Sequence, residues 1–267
     1  VRGPLLLAAA VVSAGLSGCT TAPTPTAMGH PLDALTPDEI RTATLVATPA
    51  ATGARFPHLA TDGRSVVMSW LEPGDGVEFR LRYAEWQRTQ RWGTPVDVAS
   101  GRDWFINWAD FPSVVPASGG PWTAHWLQQK PGGVYAYDVM TRLSTDGGRT
   151  WSKPRSPHDD GTATEHGFVS IASLGGRPYG VWLDGRRTLG QGHDHGAGNH
   201  AASQGAMTLR GAVLTPAGAI DGNEIDARVC DCCQTDAAVS GAALLVVYRN
   251  RSEDETRDIQ AARLEHG

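Results

Sequence analysis

Tryptophan recurs at a fixed interval in this chain, and that interval limits what the chain can fold into. Trp70, Trp126 and Trp182 are evenly spaced, and Tyr248 follows after a somewhat longer step. Each aromatic comes one hairpin's length after a matching lead-in: Phe56-Pro57-His58, Phe111-Pro112-Ser113, Phe168-Val169-Ser170 and Thr235-Asp236-Ala237. A glycine turn separates lead-in from aromatic in every copy, at Gly63, Gly119-Gly120, Gly175-Gly176 and Gly241. This is the signature of a repeated hairpin, and a period of this kind means units that bury their apolar faces only against their neighbours. A third strand is predicted in each unit, over 79–85, 134–143, 206–214 and 258–264. A fourth is expected to begin near Trp92 and Trp151. The expected fold is therefore all-β: about four blades of four antiparallel strands, a β-propeller, within residues 45–267. The 32 glycines and 17 prolines fit so many short strands and turns. The recurring aromatics are expected to be blade packing.

One turn is more specific. Ser144-Thr145-Asp146-Gly147-Gly148-Arg149-Thr150-Trp151 follows an apolar strand and precedes Ser152-Lys153-Pro154. Gly147 and Gly148 can take the positive φ of a tight turn. Ser144, Asp146 and Thr150 can satisfy turn amides that lack a ladder partner. Trp151 can plug the turn against the sheet. This stretch resembles the Asp-box of the bacterial neuraminidase repeat, found in the sialidase superfamily of six-bladed β-propellers. Arg91-Trp92-Gly93-Thr94-Pro95 looks like a worn copy. In that family the box is structural, so Asp146 is expected to brace a turn. The resemblance also implies a longer protein, since four units are visible before Gly267.

The N-terminus reads as an address. Arg2, the apolar run Leu5–Val12 and Leu16-Ser17-Gly18-Cys19 resemble a bacterial lipoprotein signal over residues 1–19, with lipid on Cys19. Residues 20–44 begin with a Pro/Thr tether. The expected location is the outer membrane, facing the periplasm or cell surface, with the membrane as partner through the lipid. A net charge of −5 with no basic run argues against nucleic acid.

Propeller topology would gather the lead-in loops and the loops between second and third strands on one face, where sites are usually grafted. Two chemistries compete there. Cys230, Cys232 and Cys233 place three sulfurs close together in the chain, with His193 and His195 on a Gly-rich loop nearby. Thiolates suit Cu(I) or Zn, and the partner would then be a redox or metal-delivery protein. A local disulfide or a solvated histidine loop is the plainer reading. The second chemistry comes from the resemblance, which implies an arginine cluster, an acidic residue and a Tyr–Glu nucleophile pair acting on a glycan or small acidic ligand. Arg55-Phe56-Pro57 matches the first element by residue type; the plainer reading of Arg55 is a salt bridge at the propeller mouth. Arg186, Arg249 and Glu165 are the remaining candidates, although Trp70-Leu71-Glu72-Pro73 stands where the early Asp belongs and the tyrosine is expected outside this stretch. The expected function is a binding or accessory protein with a Cys/His site at the propeller mouth. The alternative is an exo-α-sialidase-type hydrolase releasing terminal sialic acids.

Overall fold

The structure, a computed structural model, describes residues 44–189, 205–218 and 222–265. Within the compact unit spanning Val46–Gly267, the described residues form antiparallel sheets, one 3-10 turn at Arg186–Thr188 and no α-helix. Sheet I contains β1 (Arg55–Thr61), β2 (Val66–Pro73), β3 (Phe79–Gln87), the two-residue β4 (Arg91–Trp92) and β5 (Val96–Gly101). Sheet II contains β6 (Ser113–Val115), β7 (Trp122–Gln129) and β8 (Tyr137–Ser144). Sheet III contains β9 (His166–Leu174), β10 (Arg177–Asp184), β11 (Met207–Val213) and β12 (Asn223–Val229). Sheet IV contains β13 (Asp236–Ser240), β14 (Ala243–Arg249) and β15 (Ile259–Glu265). All four are meanders joined by the predicted turns, where Gly63, Gly119, Gly175, Gly176 and Gly241 have positive φ.

The sheets stack in chain order. Val67, Leu71, Leu81 and Tyr83 of sheet I pack with Val114, Trp122 and Trp126 of sheet II. Leu127, Tyr137 and Val139 of sheet II meet Trp182 and Ala212 of sheet III. Val181, Leu183 and Leu209 of sheet III meet Leu244, Val246 and Tyr248 of sheet IV. Trp70, Trp126, Trp182 and Tyr248 all lie on second strands and are buried, as expected of packing residues. Trp104, from the loop before β6, is also a core residue and stacks on Trp126.

Matched positions of the repeat meet in space. The Phe56 and Phe111 rings stack at 6.2 Å, and the Thr235 hydroxyl donates to the Phe168 carbonyl at 2.7 Å. A side chain at Gly120 would collide with the backbone of Gly176. First strands therefore run in the same direction from sheet to sheet. Residues of β1, β6, β9 and β13 line one central cavity of about 890 Å³, the disposition of blades about an axis.

The expectation of four strands per sheet needs correction. The stretch after Trp151 does not form a strand; Arg155 makes an isolated bridge to Thr141. Pro154 and Pro157 flank it and remove the amides that a longer ladder needs. Trp92 belongs only to the short β4, and the fourth strand of sheet I begins beyond Pro95. Among the described residues, sheet IV has three strands.

The Asp-box is a closed hydrogen-bond set. The Asp146 carboxylate accepts from the Ser144 hydroxyl at 2.7 Å, the Thr150 amide at 2.9 Å and the Thr150 hydroxyl at 2.6 Å. The Gly148 amide donates to Ser144 Oγ at 2.8 Å. Bonds from Thr150 and Ser144 hold the Asp146 pKa down at about 2. Trp151 lies edge-on to Tyr83 at 6.2 Å, which ties the turn to sheet I.

Candidate functional site

First strands begin and second strands end at the same end of the sheets. That topology brings Arg55, Asp110, Glu165, His166, Asp184, the cysteine loop and Arg249 to one end. The side chains there form three separate arrangements. His193 and His195, like Cys19, lie outside the described residues.

The first is a tyrosine between two carboxyls. Tyr137 Oη lies 2.6 Å from Glu165 Oε1 and 3.2 Å from Asp110 Oδ2. β8 carries the tyrosine, the loop just before β9 the glutamate, and the loop before β6 the aspartate. Burial pushes both Asp110 and Glu165 up to about 7, and burial followed by the two carboxyls drives the Tyr137 phenol far above its ordinary value. Glu165 thus has a tyrosine partner within this stretch, Tyr137. The ring is fully buried, stacked on Phe105 at 4.0 Å, so the phenol is a packed donor rather than an exposed nucleophile.

The second is a charge network between sheets II and III. His166, with no exposed surface, places Nε2 3.0 Å from Asp160 and 3.7 Å from Asp184, and Nδ1 3.6 Å from Asp138. His158 stacks on it at 4.0 Å. Arg186 clamps Asp184 with two bonds of 2.8 Å and approaches Asp160 at 3.4 Å, while Lys130 pairs with Asp138 at 2.9 Å. Burial opposes charge on His166, but Asp160, Asp184 and Asp138 together raise its pKa. Protonated His166, Arg186 and Lys130 then match the three aspartates. Arg186 and Lys130 already supply the cations of this network, and Arg186 is spent on Asp184 rather than offered to a ligand.

The third is the thiol cluster. Cys230, Cys232 and Cys233 are free thiols whose sulfurs form a triangle of 3.6, 3.7 and 3.9 Å edges. Cys230 is buried and follows the last residue of β12; its amide donates to the Arg249 carbonyl at 2.9 Å, which pins the loop to β14. Arg249 Nη1 lies 3.6 Å from Cys233 Sγ, and Arg257 Nη1 lies 4.0 Å from Cys230 Sγ. Burial raises the Cys232 thiol, with help from Cys230, to about 12. At Cys233 burial is outweighed by the Arg249 guanidinium, and the thiol falls below its ordinary range. Asp231, inside the loop, is close enough to Glu165 to add to that carboxyl's upward shift.

Gln234, Thr235 and Asp236 continue from the cysteines into the cavity wall. Arg55 opens β1 and is exposed, and it makes no ion pair among the described residues, so the salt bridge expected at the rim is not formed there. Glu72 stands where the early Asp was sought. It is structural: it accepts from the Trp70 indole at 2.7 Å and pairs with Arg82 at 2.9 Å. Arg55, Glu165, Arg186 and Arg249 thus share a rim without converging on one another. Tyr137 and Asp138 escaped sequence reading because they sit within a strand that reads as packing. The only hint was their place one strand before Glu165-His166.

No protein-family model matches the sequence, and no curated protein matches it. Among solved structures, the chain is similar to a thermostable family-43 glycoside hydrolase, at 12% identity and a TM-score of 0.45, over 82% of this chain and 73% of that one. It is also similar to an α-L-arabinofuranosidase from Lactobacillus brevis, at 11% identity and a TM-score of 0.39, over 79% and 72%. Likeness at this level bears on neither reaction nor ligand.

Proposed function

We propose that this chain is a binding or accessory protein of the sialidase-type propeller class. In this reading a lipid on Cys19 holds it outside the cytoplasm, at the outer membrane, and Cys230, Cys232 and Cys233 do its work as a soft-metal or thiol site. The sulfur triangle carries the reading. Three thiolates at about 2.3 Å from one tetrahedral metal would stand about 3.8 Å apart, against 3.6–3.9 Å here. The backbone pinning of Cys230 to β14 supports a preformed site. The test is thiol titration with metal analysis of the purified soluble domain. The expected result is one bound soft metal ion, three thiols that react only after chelation, and loss of the metal in Cys230→Ser. A chain that retains no metal and exposes no reactive thiol rules the reading out.

A second reading, an exo-α-sialidase-type hydrolase, is favoured by the 2.6 Å contact between Tyr137 and Glu165. The burial of Tyr137 weighs against it. A fluorogenic sialoside assay separates the two: turnover that disappears in Arg55→Ala supports hydrolysis, and absence of turnover in the full-length protein dismisses it.

A further inference from the structure

We infer that the central cavity is a binding site for a small uncharged molecule bearing at least two hydroxyl groups, a polyol or neutral sugar, held by His58 and His125. No metal at the cysteines is required. Both histidines line the cavity, His58 from β1 and His125 from β7. His125 is 1% exposed, and its Nδ1 lies 3.0 Å from the Ser113 hydroxyl. Its Nε2 is buried without a hydrogen-bond partner among the described residues, and so is Nδ1 of His58. The Phe111 carbonyl favours a proton on the His125 ring but makes no hydrogen bond to Nε2. A buried polar nitrogen left unpaired is costly, so two of them on one cavity point to an occupant that pairs them. The cavity, about 890 Å³, falls among small-molecule pockets of about 300–1,000 Å³. It is far larger than the roughly 30 Å³ that one water occupies.

What the wall offers sets the class of ligand. A neutral imidazole donates at one nitrogen and accepts at the other, so a hydroxyl, which does both, satisfies either tautomer. An ammonium only donates and a carboxylate only accepts. Burial lowers both histidines, His125 to about 3, and outweighs the upward pull of Asp236 on His58. The desolvation that keeps these imidazoles neutral penalises a bound ammonium in the same way. An anion would meet Asp62 and Asp236 in the same wall. Val115 and Ile171 add apolar surface for the C–H faces of a sugar ring.

The test is nitrogen NMR of the full chain with isotope-labelled histidine rings. The chain is titrated with glucose, glucosamine and glucuronate, one skeleton in neutral, cationic and anionic form, and with myo-inositol as a second neutral polyol. His58→Phe and His125→Phe assign the ring signals, and thermal unfolding checks that each variant is folded. We expect the signals of His125 Nε2 and His58 Nδ1 to shift saturably with glucose or myo-inositol. The two charged analogues should bind at least about tenfold more weakly, and His125→Phe should weaken binding of the neutral polyol about tenfold. If His125→Phe does not fold, Ser113→Ala, which removes only the hydroxyl at Nδ1, replaces it and should weaken binding in the same direction. Rings unmoved by both neutral polyols mean that water alone fills the cavity and overturn the inference. Binding of glucosamine or glucuronate as tight as that of the neutral polyols overturns it too. Neither result touches the reading of the cysteines, which the thiol and metal assay decides.

Discussion

At the scale of the residue, the second-strand tryptophans do more than fill space. Trp182 donates its indole N–H to Asp184 at 3.0 Å, and Trp70 donates to Glu72 at 2.7 Å; each acid is then gripped by an arginine, Arg186 or Arg82. Trp126 has Gln128 at the matching place, and its buried indole nitrogen has no partner among the described residues. Trp182→Phe and Trp126→Phe therefore remove similar volume but different bonds. Denaturant unfolding should show Trp182→Phe the more destabilised by about 1–3 kcal/mol, the worth of a buried hydrogen bond to a charged acceptor. Equal losses would mean that the indole bond contributes nothing. The spacing of these tryptophans was legible in the sequence. The role of the acid two places further along was not, because a strand-end carboxylate looks the same whether it faces solvent, a substrate or an indole.

At the scale of the element, the seam between sheets II and III is held by groups whose protonation depends on being folded. Asp110 and Glu165 are raised to about 7, and His166 is raised above its ordinary 6.5. A raised folded pKa contributes stability at low pH that is lost as pH climbs through that value. His125, lowered to about 3 by burial, and His158, also lowered by burial, act oppositely, but only below 6.5. Between pH 6.5 and about 8 the raised groups dominate this seam, and unfolding free energy should fall. Glu165→Gln keeps an acceptor for Tyr137 without titrating, so it should flatten that fall. An unchanged slope, measured by urea unfolding at the two pH values, would remove Glu165 from this account. The strands of the seam followed from the repeated hairpin. The network did not, since its members come from β8, β9, β10, the 3-10 turn and two loops, and only the stacking of sheets sets them side by side.

At the scale of the whole molecule, sheet IV carries apolar side chains on both faces, those on the outer face interleaved with Asp236 and Arg263. Leu244, Val246 and Tyr248 point into the seam with sheet III, whereas Leu245 and Val247 are about 40% exposed on the other face, beside Ile259 of β15. Exposed apolar side chains clustered on a sheet face favour association. Sedimentation velocity should show this chain self-associating with concentration, and Leu245→Lys/Val247→Lys should abolish it; a wild type that stays monomeric contradicts the idea. The repeat that organises the fold was plain from aromatic spacing, but its true grain was not. Sheets I and III each have four main strands, an indole–carboxylate–arginine lock and a phenylalanine at positive φ, Phe56 at 55° and Phe168 at 53°. Among the described residues, sheets II and IV have three strands and neither feature. Trp70 and Trp182, the two locked indoles, stand a double interval apart, with Trp126 midway. The structural period is therefore a couplet of sheets: one member of each couplet carries the buried charge lock, and the other packs without it.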